Sequence, residues 1–375
     1  MSTYAQTVRS SAPQLADVVP YDPKYLPADA FLSANENPRD VDEELRRQIM
    51  RALREVSFNR YPDPLAHGLR EMIAEANGVS QDQVLIGNGG DELLFDIALA
   101  WGGPGRTFLN MPPTFSVYEN NAQLTNTTIV SIPRDEAFDI DEAAVLKRVS
   151  EGDIDYVIVT SPNNPTGRLA NEQFIIELLE STDALVVVDE AYFEFSRKTI
   201  RPYLERFENL LILRTFSKAF SLAGVRVGYV LGAPRVIREL IKVRQPYSVD
   251  AVSQVVAQVV YENRSQFEPG ISAIIAERTR VFNELKRIPK VVAYPSDANY
   301  ILFRVPQAER VWQALYDRGI LVRDLSGAPY LEGCLRTTIG TEEQNTAFLD
   351  ALRDVLAQLV REQFPLQSQS ESLKA

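Results

Sequence analysis

The sequence predicts a two-domain α/β fold, a large domain on a mainly parallel sheet joined to a smaller α+β domain. Three observations carry that prediction. The chain has 375 residues, 45% of them hydrophobic, too many for one small core and suited to two packed domains of roughly 100–200 residues each. Between about Val84 and Gly232, short apolar runs alternate with amphipathic stretches. After Pro246 that alternation gives way to a long helical pattern followed by short strands.

Taken in chain order, residues 1–52 are Pro-rich with one helical stretch and are assigned to the smaller domain. Residues 53–250 form the large domain. Its apolar runs are Val84–Ile86, Thr107–Leu109, Thr128–Val130, Tyr156–Val159, Ala184–Val188, Leu210–Leu213 and Val225–Leu231. They are β-branched and mostly continuous, the pattern of strands buried on both faces. Helical patterns such as Asp91–Trp101 and Asn171–Glu180 lie between them, and strand–helix alternation argues for a parallel sheet. Residues 251–366 form the smaller C-terminal domain. It is helical from Ala251 to about Arg287, has strands near Val291–Ala293, Tyr300–Phe303, Ile320–Val322 and Leu335–Ile339, and ends in a helix to about Arg361. Residues 367–375 are a polar tail.

Composition removes several function classes. The formal charge is −12, and an acidic surface repels phosphate backbones, which argues against nucleic-acid binding. No apolar run approaches the ~18 residues of a membrane span, and Met1–Ser11 lacks the apolar core of a secretory signal. Cys334 is the single cysteine, so no intrachain disulfide exists and the chain reads as cytoplasmic. His67 is the single histidine, which rules out zinc sites with two or three histidines. In Pro64–Arg70 it reads as an ordinary helix residue, and no metal site is expected.

Four strands run into polar clusters: Ile86 into Gly87-Asn88-Gly89-Gly90-Asp91-Glu92, Val159 into Thr160-Ser161-Pro162-Asn163-Asn164-Pro165-Thr166-Gly167, Val188 into Asp189-Glu190-Ala191-Tyr192, and Leu213 into Arg214-Thr215-Phe216-Ser217-Lys218. In parallel α/β sheets ligands bind beyond the carboxyl ends of the strands, so four such clusters describe a site rim. Each suits one part of pyridoxal 5′-phosphate (PLP). A glycine turn opening a helix offers bare N–H groups and a helix dipole to a phosphate. A carboxylate at a buried strand end keeps a pyridine nitrogen protonated, which makes the ring an electron sink. A lysine in crowded surroundings loses affinity for its proton and favours Schiff-base chemistry. Arg226 adds a cation for the phosphate. Taken singly, the glycine turn, the Asp-Glu-Ala-Tyr turn and the lysine would each pass as ordinary structure; the weight lies in the combination.

Ser161–Gly167, Asp189–Tyr192, Ser217-Lys218 and Gly224–Gly228 resemble, in order and spacing, the motif series of fold-type I PLP aminotransferases of class I/II. Within that superfamily, Ser33-Ala34-Asn35-Glu36-Asn37-Pro38, Arg60–Asp63, Gly87–Glu92 and Leu335–Gly340 are similar to histidinol-phosphate aminotransferases. The resemblance spans about Tyr21 to Leu352. It implies that Lys218 holds PLP and shuttles a proton, that Asp189 pairs with the ring nitrogen, and that Asn164 and Tyr192 hydrogen-bond the ring oxygen. Gly89, Gly90, Asp91, Thr215, Ser217 and Arg226 are then expected around the phosphate, with Phe115 against the ring. It further implies a homodimer in which Tyr61 reaches the neighbour's cofactor, and a substrate clamp of Arg336 and Arg323 helped by Tyr21.

Two departures from the pattern bear on substrate. Phe115 stands where the family commonly has tyrosine, and Gly90 where it often has serine. The implied reaction is histidinol phosphate plus 2-oxoglutarate giving imidazole acetol phosphate and glutamate, in histidine biosynthesis. The alternatives are an aromatic amino-acid aminotransferase, a lyase like threonine-phosphate decarboxylase, and a non-catalytic module of a regulator; the Lys218–Asp189 pair argues against the last.

Overall fold

The computed structural model describes residues 9, 11–16, 18, 20 and 26–363; Tyr21 and the 367–375 tail lie outside the described residues. The large sheet holds β2 (Val84–Gly87), β3 (Thr107–Asn110), β4 (Thr128–Ser131), β5 (Tyr156–Thr160), β6 (Leu185–Asp189), β7 (Leu210–Thr215) and β8 (Gly228–Gly232), in the order β2-β8-β7-β6-β5-β3-β4. From β7 to β4 all neighbours are parallel, whereas β8 runs antiparallel to both β2 and β7. Residues 216–227 join β7 to β8 with a single 3₁₀ turn, Ala223–Val225, and no crossover helix, so the chain folds back beside β7 instead of crossing the sheet to a parallel partner. Reversing twice leaves β2, β5, β6 and β7 pointing the same way.

Alternate residues of each central strand enter opposite cores. Val157, Val159, Val186, Val188 and Ile212 pack on one face, and Ile158, Leu185, Val187, Leu211 and Leu213 on the other. Both faces are covered, as the unbroken apolar runs predict.

The smaller sheet is β1-β11-β12-β10-β9, formed by β1 (Ala30–Leu32), β9 (Val292–Ala293), β10 (Tyr300–Arg304), β11 (Ile320–Asp324) and β12 (Cys334–Thr338). The three-residue β1, which the sequence pattern does not reveal, pairs in parallel with β11. Packing crosses the expected segment boundaries. Leu45 and Ile49 of the helix Glu43–Leu53 lie in the large core, as do Val256, Ala257 and Val260 of the helix Ala251–Glu262. The helical stretch expected over 251–287 is two helices, Ala251–Glu262 and Glu268–Arg287. Pro269, in the first turn of the second, lacks the N–H that a continuous helix would use. Phe267, between them, packs against both cores. Among the described residues, no helix is long and apolar enough to cross a membrane.

Candidate active site

The strand register brings the four clusters to one edge. Thr160 pairs with Asp189 and Asp189 with Leu213, while Thr215 and Gly87 flank Gly228. Above them lies a cavity of about 610 Å³ lined by residues of all four clusters, by Phe115 and by Ala34–Glu36.

Asp189 and Glu190 show how a strand end sorts two carboxylates. Asp189 faces the cavity, 4% exposed. Its Oδ2 accepts from Tyr118 Oη at 2.7 Å and its Oδ1 from the Ala191 N–H at 3.0 Å. Burial pushes its carboxyl up to about 6, against the pull of those two donors. Glu190 turns the other way, into a buried ion pair with Arg214 (2.8 Å) braced by Thr199 and by the Ile200 N–H. Among the described residues, Asp189 has two hydrogen bonds and no cation in contact, the environment a protonated ring nitrogen would complete.

Lys218 Nζ donates to the carbonyl of Ala34 at 3.0 Å. Burial first, and then the Arg336 charge, lower its ammonium to about 8. About a tenth of the side chain is thus neutral at pH 7, roughly a few hundredfold more than at the ordinary 10.5, which favours covalent capture of a carbonyl.

The phosphate end is the start of the helix Gly89–Trp101. Gly89 has φ +76°, and a Cβ there would lie 2.5 Å from Arg226 Nη2. A Cβ on Gly228 would lie 2.8 Å from Gly90 N, so two glycines let β8 and the helix start meet. Arg226 donates to Asp91 Oδ2 at 2.8 Å and to Ser217 Oγ at 3.4 Å, and Thr215 Oγ1 lies 3.0 Å from Ser217 Oγ. Three hydroxyl or guanidinium groups and the helix N-terminus converge on one small space, the donor set a phosphate needs.

Arg336 and Arg323 are register partners on β12 and β11. Arg336, 8% exposed, donates to Asn164 Oδ1 at 2.5 Å and to the Ser33 carbonyl at 2.7 Å. A second cavity of about 480 Å³, lined by both arginines, shares Phe115, Asn164 and Arg336 with the first. Phe115 meets Tyr118 edge-on, ring centroids 5.7 Å apart.

The structure thus gathers Gly90, Asp91, Phe115, Asn164, Asp189, Tyr192, Thr215, Ser217, Lys218, Arg226 and Arg336 around one cavity, with Gly89 against Arg226 and Arg323 next door. Tyr61 is not among them. It is 81% exposed and stacks on Tyr247 at 4.6 Å, away from its own chain's cavity. Sequence reading missed Tyr118, Glu190–Arg214 and the role of Asn35, which donates to Tyr192 Oη at 2.9 Å. The tyrosine three residues after Phe115, on the next turn facing the same strand ends, was the available signal for Tyr118.

The comparisons agree with this geometry. The model of the family "Aminotransferase class I and II" matches residues 30–352. A histidinol-phosphate aminotransferase of Chlorobium phaeovibrioides is 38% identical over 342 residues, covering 91% of this chain and 95% of the relative. Histidinol-phosphate aminotransferase 1 of Carboxydothermus hydrogenoformans is 39% identical, covering 91% and 97%. Among crystal structures, the histidinol-phosphate aminotransferase of Sinorhizobium meliloti in complex with pyridoxal-5′-phosphate shares the fold with a TM-score of 0.86 at 22% identity, covering 94% and 99%. The L-threonine-O-3-phosphate decarboxylase of Porphyromonas gingivalis has a TM-score of 0.77 at 25% identity, covering 88% and 99%. With a buried carboxylate, a desolvated lysine and a phosphate cradle around one cavity, and with this match over most of its length, the chain belongs to the class I and II aminotransferases, enzymes that work with pyridoxal 5′-phosphate.

Proposed function

We propose that the protein, as a cytoplasmic homodimer, transfers the amino group of histidinol phosphate to 2-oxoglutarate in histidine biosynthesis. The observation that carries this reading is the pairing of Arg336 with Arg323 across neighbouring strands beside the cofactor cavity. Guanidinium forks accept a phosphate in one half-reaction and a carboxylate in the other. The names of the relatives support the choice of donor.

When bound, PLP supplies a sink for negative charge developing at the substrate Cα. The chain's own residues do the rest. Lys218 would hold the cofactor and carry the proton taken from the substrate Cα. Asp189 holds the proton on the ring nitrogen, and Tyr118 steadies Asp189. Tyr192 and Asn164 donate to the ring oxygen; Asn164 does so through Nδ2, because Arg336 occupies its Oδ1. Phe115 covers the ring face. The N–H groups of Gly89, Gly90 and Asp91, the hydroxyls of Thr215 and Ser217, and Arg226 hold the phosphate. Tyr61, exposed on its own chain, serves the neighbouring subunit's site. Packing supports a large domain from the helix Glu43–Leu53 through Glu262, and a small one from β1 with residues 268–363.

Turnover with histidinol phosphate, phenylalanine, tyrosine and threonine phosphate, scoring keto product against CO₂, tests the reading. Histidinol phosphate should exceed the aromatic donors by at least about tenfold in kcat/KM, about 1.4 kcal/mol. A preference for phenylalanine would make it an aromatic aminotransferase, and CO₂ release a lyase like the decarboxylase of similar fold.

A further inference from the structure

Residues 33–37 run from β1 along the cavity and touch the machinery at nearly every step. The Ser33 carbonyl accepts from Arg336, the Ala34 carbonyl accepts from Lys218, and Asn37 Nδ2 donates to the Ala219 carbonyl at 3.2 Å. Asn35 sits between them, 2% exposed, with φ 55°, a left-handed conformation that asparagine tolerates better than most residues.

Every polar group of Asn35 is engaged. Its N–H donates to Thr338 Oγ1 at 2.9 Å, its carbonyl accepts from Asn299 Nδ2 at 3.0 Å, and its Nδ2 donates to Tyr192 Oη at 2.9 Å. The Thr338 hydroxyl, already an acceptor, directs its own hydrogen to Asn35 Oδ1 at 3.4 Å. That contact orients the amide: oxygen toward Thr338, nitrogen toward Tyr192.

We propose that Asn35 is a positioning residue that aims the Tyr192 hydroxyl proton at the cofactor. A phenol has one proton and two acceptor lone pairs. With an Nδ2–H of Asn35 filling one lone pair, the proton turns to another direction, and Tyr192 lines the cavity. The side-chain amide is anchored on β12 through Thr338 and the Asn35 backbone through Thr338 and through Asn299, just before β10, so the small sheet fixes a hydroxyl that follows β6 of the large one. The inference rests on the reading that Tyr192 faces the ring oxygen.

The test reads the pH at which the visible absorption band of the bound cofactor changes in the full-length holoenzyme. A donor to the ring oxygen stabilises negative charge there and weakens that oxygen's hold on the proton of the nearby Lys218 nitrogen; losing the donor raises the midpoint. Asn35→Gly keeps the left-handed backbone and removes the amide. Asn35→Asp keeps the shape and replaces the donor by an acceptor, which draws the Tyr192 proton away. The midpoint should rise by about half a pH unit in the first and about one unit in the second, as in Tyr192→Phe. Asn35→Gly should add nothing to Tyr192→Phe, whereas the charge of Asn35→Asp adds its own rise. Thr338→Val, which frees the amide to rotate, should give a smaller rise and serves if position 35 tolerates no change. Midpoints that stay put in the Asn35 and Thr338 variants while Tyr192→Phe shifts would overturn the inference alone, as would a full shift by Asn35→Gly in the Tyr192→Phe background. A silent Tyr192→Phe would overturn both it and the reading it rests on.

Discussion

The two halves of the active-site cavity are built differently. The cofactor half lies on one edge of one sheet: Asp189, Thr215 and the Gly89–Gly90 turn are fixed by the register of β2, β6, β7 and β8. The substrate half stands on the other sheet, where Arg336 and Arg323 are register partners on β12 and β11. Arg336 donates to Ser33 after β1 of that same sheet and also to Asn164 after β5 of the large one. Each set of groups is therefore fixed by its own ladder, and the distance between them depends on how the two sheets sit against each other. Chemistry is placed on the large sheet, with the small one bracing it through Ala34 on Lys218 and Asn35 on Tyr192; selectivity is placed on the small sheet.

The sharpest way to break this comparison is to remove the group on which the cofactor half centres. Lys218→Ala should abolish turnover without unfolding the protein, since the side chain sits at a loop beyond β7. Borohydride reduction and peptide mapping of the wild type should place the pyridoxyl label on Lys218; a label on Lys198 or Lys242 would refute the assignment. Next in size comes Asp189→Ala. Removing one partner of a buried ion pair costs about 3–5 kcal/mol, and if that loss falls on the charge-bearing transition state, kcat drops by roughly 10²–10³. Near-normal turnover would mean that another group keeps the ring nitrogen protonated.

The same asymmetry decides what could be read from the sequence. The strand-end clusters were legible because each is a continuous run, and parallel strands carry their ends to a common edge. Lys218 and Asp189 needed only that rule. Asn35 and Tyr118 did not announce themselves, because their work depends on partners at 192 and 189, far away in sequence. β1 was invisible for a related reason: three residues show no period, and only pairing with β11 makes them a strand. The antiparallel β8 escaped because an apolar run states burial and not direction.

In the substrate half the expected effects are smaller and should separate the two arginines. Hydrogen bonds to charged groups contribute about 1.5–3 kcal/mol, so Arg336→Ala should weaken both substrates by roughly 10–100-fold in kcat/KM. Arg336 also lowers the Lys218 ammonium, so the variant should take up PLP into cofactor-free protein only at higher pH than wild type. Arg323→Ala should cost the dianionic phosphate roughly tenfold and the carboxylate less. An equal loss for every donor would show that Arg323 does not discriminate between them.

Away from turnover, the cofactor half can be probed without its cofactor. Burial raises the Asp189 carboxyl to about 6 from an ordinary 3.8, so the folded protein holds this proton more tightly than the unfolded chain. A raised pKa of this kind contributes stability that is complete below about pH 3.8 and is lost as pH rises through about 6. The loss amounts to about 3 kcal/mol. Lys218, lowered to about 8 from 10.5, has the opposite sign: its contribution is complete above 10.5 and is lost as pH falls through about 8. Between pH 4 and 7 the lysine is therefore constant, and Asp96 and Glu194, raised by burial to about 7 and about 8, change alike in wild type and Asp189→Asn, so the difference between the two isolates Asp189. Urea unfolding of the cofactor-free protein across that range should show wild type losing stability relative to Asp189→Asn, which has no proton to give up. Saturation with PLP should abolish the decline, because a protonated ring nitrogen then faces the ionised carboxylate. Parallel curves for wild type and Asp189→Asn would mean that Asp189 is already charged and satisfied by its Tyr118 and Ala191 donors, and that the cofactor half needs no cation to complete it.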